Sequence, residues 1–165
     1  MQSIYFVDSN FTYESSKKSI LSIRYATDGF SFCVHDETGK LVVFVHEPYA
    51  ADSREAAVAR LKNYVVNDAI LNLRFKKVCI MPCFKEKLLV PGAFFDKANI
   101  TTLYTVNQEV SPDDTILYHH IEGIEAYLVE TVISSFHDFV REHFPVFQIV
   151  NGAYPFILGA MGKAL

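Results

Sequence analysis

Three strand-like segments joined by two glycine turns, followed at once by a capped helix, restrict the possible folds of this chain more than any other feature. In the first segment, apolar side chains such as Leu21 and Ile23 alternate with polar ones, which is the period of a strand with one covered face. Asp28-Gly29 predicts a tight hairpin after it, because glycine accepts the positive φ that such turns require. The order predicts an antiparallel three-strand meander. Its strands are residues 20–26, 30–35 and 41–46, and its second turn is Thr38-Gly39.

A helix and a further strand follow the meander. Asp52 and Glu55 have the spacing of a capping box, and apolar residues then recur at helical intervals, so the sequence predicts a helix from residue 53 to near Asn72. The apolar residues 78–81 predict a short strand, which after a helix of this length is most simply a parallel crossover partner. We therefore predict an α/β (α+β) fold: a mixed sheet of an antiparallel three-strand meander plus parallel crossover strand(s), with flanking helices.

The second half of the chain again alternates strands with helices, although the pattern is weak between residues 99 and 114. In that weak region, Tyr104 is predicted to be a hydrophobic anchor under a loop. The predicted elements are a strand at 87–90, a small helix at 93–98 opened by Pro91, paired strands at 115–122 and 125–133, a helix capped by Ser134 or Ser135 and ended by Pro145, a strand at 146–150 and a final helix at 153–165.

The composition is typical of one compact domain. The chain has 165 residues, of which 50% are hydrophobic and 21% are charged. A chain of this length buries roughly 70% of the surface that it exposes when unfolded, which is enough for an adequate core. We expect a single domain over residues 1–165, with residues 1–18 as an N-terminal extension.

Charge and hydropathy argue against several classes of partner. The net charge is −4 and the basic residues are scattered, whereas nucleic-acid-binding domains concentrate them on one face. No apolar run reaches the ~20 residues that a membrane span needs, and residues 1–8 lack the pattern of a signal peptide. We therefore expect no nucleic-acid partner, no membrane partner and a cytoplasmic location.

A resemblance to a known family rests on two stretches of sequence. They are the run ILSIRYATDGFSFCVHDETGKLVVFVHEPY, followed by the helix from Ser53, and the later KLLVPGAFF. Together they resemble the N-terminal part of an uncharacterised bacterial domain family with an actin-like ATPase fold, the ribonuclease-H-like arrangement that sugar kinases and Hsp70 chaperones share. The resemblance implies that this chain is one lobe of a longer fold, in which two lobes clamp a nucleotide. The end at Leu165 would then mark either a truncation or a natural lobe that needs a partner.

The resemblance also implies where a phosphate turn would lie. Active relatives of the fold carry Asp-x-Gly-Thr/Ser between the first two strands, whereas this chain has Asp28-Gly29-Phe30-Ser31, with a large side chain where a phosphate would approach the backbone. We interpret the stretch as a plain hairpin turn and expect no cofactor. The alternative is an ATP-binding actin-like ATPase with a divergent phosphate turn, in which Asp28, Gly29 and Ser31 bind the nucleotide.

The cysteines and histidines are not predicted to form a metal site. Cys79 and Cys83 would lie roughly 13 Å apart along an extended strand. Cys33 and His35 supply only two of the four ligands of a closed zinc site. The pair His119-His120 lies in a predicted strand, where adjacent side chains face opposite sides and cannot chelate one ion. We therefore expect buried thiols and one exposed histidine of the pair.

The excess of aromatic residues, 14 Phe and 9 Tyr, is the remaining functional signal. Most aromatic residues of a domain are buried, but interfaces between proteins are also rich in them. We predict a non-catalytic actin-like lobe that acts as a protein-interaction or scaffold module, and whose partner is another protein, a second copy or a missing second lobe. The predicted partner-binding residues are Phe94, Phe95, Tyr154, Phe156 and Met161.

Overall fold

The computed structural model describes residues 2–121, 123–153 and 157, and within these ranges the chain forms two sheets and four α-helices. The strands are β1 Ile4–Val7, β2 Ile20–Ala26, β3 Gly29–His35, β4 Leu41–Pro48, β5 Lys77–Pro82, β6 Lys87–Pro91, β7 Asp114–Ile121, β8 Ala126–Ile133 and β9 Phe147–Ile149. The α-helices are α1 Tyr13–Ser16, α2 Arg54–Asn67, α3 Ile100–Thr105 and α4 Ser134–His143.

The larger sheet has six strands in the order β1-β4-β3-β2-β5-β9. Strands β2, β3 and β4 pair antiparallel. Strand β5 pairs parallel to β2, with Ile23 opposite Ile80, and β9 pairs parallel to β5. The predicted meander and parallel crossover strands are therefore confirmed, and the fold is a mixed α/β fold.

The main core lies between the larger sheet and helices α2 and α4. Leu61 of α2 is fully buried and Phe136 of α4 is 1% exposed. Both belong to one hydrophobic cluster with sheet residues such as Leu21 and Ile80. Because β5 pairs parallel to β2 and β9 pairs parallel to β5, the carboxyl ends of these three strands lie at one edge of the sheet.

The chain between β5 and α4 forms a second sheet of three strands in the order β6-β8-β7. This sheet has a small core of its own, in which Val90 and Val129 pack against Tyr104. Tyr104 is fully buried, and its hydroxyl donates a hydrogen bond to the carbonyl of Glu86 at 2.9 Å. The predicted burial of Tyr104 is confirmed, but the residue lies in helix α3 and not under a loop.

Helix α2 begins and ends at residues other than the predicted ones. Its N-cap is Ser53, whose hydroxyl accepts from the amide of Ala56 at 3.1 Å, so the predicted cap at Asp52 is wrong. The helix ends at Asn67 because Asp68 leaves the helical conformation. Asn72, the predicted end, instead lies beyond the helix and donates to carbonyl groups of its last turn, including that of Val65 at 2.9 Å.

Three other predicted elements differ in the structure. The small helix predicted at 93–98 is replaced by two 3-10 turns, Gly92–Phe94 and Lys97–Asn99. The N-cap of α4 is Ile133, whose apolar side chain cannot cap the helix, so the predicted cap at Ser134 or Ser135 is wrong. The hydroxyl of Ser134 instead lies 2.8 Å from that of Thr115 on β7. The expected N-terminal extension contains β1, which pairs with β4 at the edge of the larger sheet. The predicted final helix lies almost entirely outside the described residues.

Of the helices in the described part of the chain, none has the length and hydropathy that a bilayer-spanning helix requires.

Candidate functional site

The turn between β2 and β3 is where the resemblance places a phosphate. The guanidinium of Arg24 donates to the Asp28 carboxylate at 2.9 Å, and this hydrogen bond lowers the pKa of Asp28. The backbone carbonyls of the turn are also engaged: that of Asp28 accepts from Tyr49 at 3.2 Å and that of Thr27 from Ala51 at 2.8 Å. The turn is therefore held by its own strand and by the segment that leaves β4.

Gly29 has a structural explanation that does not involve a phosphate. Its φ is +146°, and a Cβ atom at this position would lie 2.6 Å from the carbonyl oxygen of Glu47 on the neighbouring strand. Real Cβ atoms essentially never approach a heavy atom so closely. The close approach of β4 is therefore enough to require glycine here.

The other residues around the turn point elsewhere. The Ser31 hydroxyl lies 2.8 Å from Nδ1 of His46 on β4. Phe30 is 2% exposed, and its ring packs edge-on against that of Tyr64 with 4.5 Å between the centroids. The expectation that Phe30 obstructs the approach of a phosphate is therefore wrong, since its side chain belongs to the core.

An open cavity of about 540 Å³ adjoins the turn. It contains a single carboxylate, that of Asp28, which already pairs with Arg24. Its lining residues are Thr27, Asp28, Pro48, Tyr49, Ala50 and Ala51.

A buried ion pair lies where the second sheet meets the carboxyl edge of the larger one. Glu130 of β8 is only 1% exposed, and its Oε2 accepts from the Lys87 ammonium at 2.6 Å. Lys87 also donates to the carbonyl of Pro82, at the end of β5, at 3.3 Å. Each charge compensates the other, since a buried charge without a partner would be costly.

A second ion pair joins helix α2 to the second sheet. The guanidinium of Arg54 donates to the Asp114 carboxylate at 2.8 Å and to the Thr131 hydroxyl at 3.0 Å. The central carbon of the guanidinium lies over the Phe84 ring, 5.6 Å from the centroid. Because Arg54 is the first residue of α2, this contact joins the second sheet to the helix that packs on the larger sheet.

One oxygen of the Glu130 carboxylate and the facing nitrogen of His119 lack hydrogen-bond partners among the described residues. Oε1 of Glu130 and Nε2 of His119 are 3.8 Å apart, too far for a hydrogen bond. Burial lowers the pKa of His119, which favours the neutral ring. Within the described residues, four buried side-chain atoms have no hydrogen-bond partner: Nε of Arg54, Nε2 of His119, Oε1 of Glu130 and Nδ2 of Asn151.

His119 and Asn151 also line a cavity of about 330 Å³, here called the His119–Asn151 cavity, together with Tyr118, His120, Gln148 and Val150. Its lining residues come from β7, from β9 and from the segment that follows β9. His119 faces the buried ion pair, whereas His120 is exposed and lies 3.7 Å from a carboxylate oxygen of Glu125. The prediction that the two adjacent histidines face opposite sides is therefore confirmed.

The predicted partner-binding residues have different environments. Phe94 is 74% exposed, and a shallow cavity of about 310 Å³ connects it to Leu103 and to Val106, which is 78% exposed. These three side chains are called the Phe94 patch. Phe95 instead stacks on the Tyr127 ring, with 3.6 Å between the centroids. The other three predicted residues, Tyr154, Phe156 and Met161, lie outside the described residues.

The cysteines are free and partly buried: Cys33, Cys79 and Cys83. Burial raises the pKa values of the Cys33 and Cys79 thiols. Over residues 2–121, 123–153 and 157, no three His, Cys, Asp or Glu side chains converge in a way that could hold a metal ion.

Comparison with protein families gives a match over residues 8–163 to a family described as a protein of unknown function, DUF3822. This chain belongs to the DUF3822 family. The predicted resemblance to an uncharacterised family with an actin-like ATPase fold is therefore confirmed. A comparison with curated proteins gives no match.

A crystal structure supports the fold of this DUF3822 chain. It is that of a Bacteroides thetaiotaomicron protein with an actin-like ATPase fold and unknown function, with a TM-score of 0.80 and 24% sequence identity over 91% of this chain. This chain covers 58% of the length of that protein. The structure of Marinitoga piezophila Argonaute in complex with a guide RNA aligns with 77% of this chain and 26% of the Argonaute chain, at 11% identity. Its TM-score of 0.30 is too low to indicate a shared fold.

Sequence reasoning missed the polar residues that lie between the two sheets of the DUF3822 chain. Lys87 and Glu130 are 43 positions apart and Arg54 and Asp114 are 60 apart, so no local pattern connects them. One signal was present. Glu130 is the one charged residue of a mostly apolar strand, and a charged residue in such a position is rarely left unpaired.

Proposed function

We propose that this DUF3822 chain is a non-catalytic actin-like lobe that acts by binding a protein partner. The main observation that supports this proposal is the exposure of the Phe94 patch. Phe94 and Val106 are more exposed than any other large hydrophobic side chains of the described residues. Large apolar side chains that cluster on a surface favour a binding site over a free surface.

The structure of the turn supports the non-catalytic part of the proposal. A magnesium-bound nucleotide needs a free carboxylate and free backbone amides near its phosphates. Asp28 instead pairs with Arg24, and packing against β4 accounts for Gly29. The Ser31 hydroxyl is engaged with His46. These contacts engage the Asp28 carboxylate and the Ser31 hydroxyl, which supports a structural role for the turn.

Three kinds of protein partner remain compatible with the Phe94 patch: a second copy, a second actin-like lobe and an unrelated protein. The longer chain of the Bacteroides relative is consistent with a second lobe in this family. Association of identical chains is the first partner to test, since it needs no other component.

Phe94→Asp is expected to weaken association by about 30-fold, because truncated anchor residues cost roughly 2 kcal/mol or more at interfaces. The melting temperature should stay the same, since the Phe94 side chain is largely exposed. Light scattering of concentrated protein and pull-down from cell extract measure the effect. Val66→Asp is the matched control, because Val66 is 58% exposed on α2, far along the chain from the patch.

A wild-type protein that is strictly monomeric at high concentration, and that captures the same proteins as the Phe94→Asp variant, would contradict the proposal. Equal weakening by Phe94→Asp and Val66→Asp would also count against it. That result would indicate a general effect of the added charge on solubility.

The second candidate function is ATP binding with a divergent phosphate turn, and the cavity of about 540 Å³ beside Asp28 favours it. A ligand at one hundred times its dissociation constant stabilises the native state by about 2.7 kcal/mol. For a chain of this size, that free energy raises the melting temperature by roughly 5 to 10 °C.

We expect saturating Mg-ATP to leave the melting temperature within about 1 °C of its value without nucleotide. Thermal melting of the wild type and of Asp28→Ala measures the difference. If Mg-ATP instead raises the melting temperature of the wild type by roughly 5 to 10 °C, and this rise disappears in Asp28→Ala, nucleotide binding at the turn is established. That result would overturn the non-catalytic assignment.

A further inference from the structure

Strand β1 forms one edge of the larger sheet and leaves that edge open. Within the described residues it pairs with β4 alone. We propose that β1 pairs antiparallel with β1 of a second copy of this chain across a twofold axis, so that the two larger sheets join into one. The inference rests on the free backbone groups of β1, on the chemistry of its side chains and on the register that these two features define.

The backbone of β1 has a defined set of outward-facing groups. The amide of Asp8, the residue after β1, donates to the carbonyl of Val42 at 2.8 Å and so continues the ladder with β4. In an antiparallel ladder, residues that bond to the neighbouring strand alternate with residues whose N–H and C=O groups face away from it. Because Asp8 bonds to β4, the backbone groups of Tyr5 and Val7 face outward.

Natural edge strands are usually protected against pairing, and β1 lacks the usual protection. Charged side chains, prolines and bulges are the common devices. The sequence of β1, IYFV, contains no charged residue and no proline, and its register with β4 is continuous. Three of its side chains are largely exposed: Ile4 at 50%, Tyr5 at 65% and Phe6 at 46%. An exposed and uncharged edge of this kind favours the addition of another strand.

The register of the proposed pair follows from the outward groups. Two antiparallel strands exchange hydrogen bonds where outward-facing residues lie opposite each other. A twofold axis at Tyr5 meets this condition, because Tyr5 then lies opposite Tyr5 of the second copy and Val7 lies opposite Ser3. In the same register, Ile4 lies opposite Phe6 on the other face of the sheet. Aromatic and β-branched side chains in directly opposite positions stabilise an antiparallel pair.

The charges beside β1 suit a second copy as the partner. In this register Asp8 lies opposite the uncharged Gln2, and its carboxylate already pairs with the Lys40 ammonium at 2.7 Å. No like charges therefore meet between residues 2 and 8 of the two copies. Because a twofold contact uses the same surface on both chains, it closes on itself, and association through this edge stops at a dimer.

Tyr5→Lys is expected to lower the association constant at least about tenfold, since it places two like charges opposite each other at the twofold axis. Sedimentation equilibrium measures the effect. The wild-type dissociation constant should be weaker than about 1 μM, because a strand of four residues makes a small interface. Tyr13→Lys is the matched control, because Tyr13 is 50% exposed on α1 and not on the edge strand, so association should stay unchanged.

A disulfide tests the register itself. Residues that exchange both backbone hydrogen bonds in an antiparallel pair have Cα atoms about 5.5 Å apart, a usual distance for a disulfide. Tyr5→Cys should therefore give a disulfide-linked dimer on mild oxidation, measured on a non-reducing gel. Gln2→Cys is the control, since it is also exposed but lies opposite Asp8 and not opposite itself. The wild type measures the background from the three native cysteines, which are partly buried.

A wild type that stays monomeric at about 1 mM, or equal weakening of association by Tyr5→Lys and Tyr13→Lys, would overturn the proposal. Equal disulfide yields from Tyr5→Cys and Gln2→Cys would also overturn it, because they would indicate random collision. A monomeric wild type that captures another protein through Tyr5 would show that a foreign strand is the occupant.

The contact through β1 is separate from the Phe94 patch. Addition of Phe94→Asp should leave the disulfide yield of Tyr5→Cys unchanged. Association through the Phe94 patch is measured in the Tyr5→Lys variant, which lacks the β1 contact. The failure of either proposal can therefore be distinguished from the failure of the other.

Discussion

Lys87→Met is expected to lower the free energy of unfolding by about 3–5 kcal/mol, the cost of leaving a buried charge without its partner. Glu130 is 1% exposed and its Oε2 lies 2.6 Å from the Lys87 ammonium. His119, 3.8 Å from the other carboxylate oxygen, is too distant to replace the lysine. Urea denaturation measures the loss.

Two further variants distinguish the effect of an unpaired buried charge on stability from the effect of replacing a lysine by methionine. Lys85→Met makes the same change two residues earlier at an exposed position, and should alter stability by less than about 0.5 kcal/mol. The double variant Lys87→Met/Glu130→Leu removes both charges, and should recover most of the stability, since apolar residues of similar volume often replace a buried pair without loss. A single Lys87→Met variant that is as stable as Lys85→Met would show that the pair is not buried as described.

The fold was predictable from sequence where its signals are local. The alternation in residues 20–26 and the turn at Asp28-Gly29 lie within ten residues of each other, and both are correct. The parallel pairing of β5 with β2 followed from the length of the intervening helix alone. Helix caps were less predictable: Asp52 and Ser53 are adjacent and both suit an N-cap, and only the conformation of the chain entering α2 decides between them.

The candidate sites were predictable only in part, because they depend on long-range contacts. Phe94 and Phe95 are neighbours with the same chemistry, yet Phe94 is exposed and Phe95 stacks on Tyr127 of another strand. The backbone turn at Gly92–Phe94 decides which ring faces the second sheet. The cavity beside His119 likewise requires Asn151, 32 positions later, which no spacing rule connects to it.

Gly29→Ala is expected to reduce stability by about 3 kcal/mol, which corresponds to a melting temperature roughly 6 to 12 °C lower. Two costs combine at this position. Alanine is strained at the φ of +146°, and its Cβ atom would lie 2.6 Å from the carbonyl oxygen of Glu47. Relief of that contact requires β3 and β4 to separate where Gly29 pairs with Pro48. Thermal melting and urea denaturation both measure the effect.

Gly39→Ala separates the two costs. Gly39 also has a positive φ, +84°, but a Cβ atom there would have no heavy atom within 4 Å, so we expect a loss of about 1 kcal/mol from backbone strain alone. The difference between the two variants therefore measures how strongly β4 packs against the turn. If Gly29→Ala were as mild as Gly39→Ala, packing would no longer explain the glycine beside Asp28. A role for its backbone in binding phosphate would then become the better explanation, and the ATP-binding candidate would gain the support that the structure now gives to a plain hairpin.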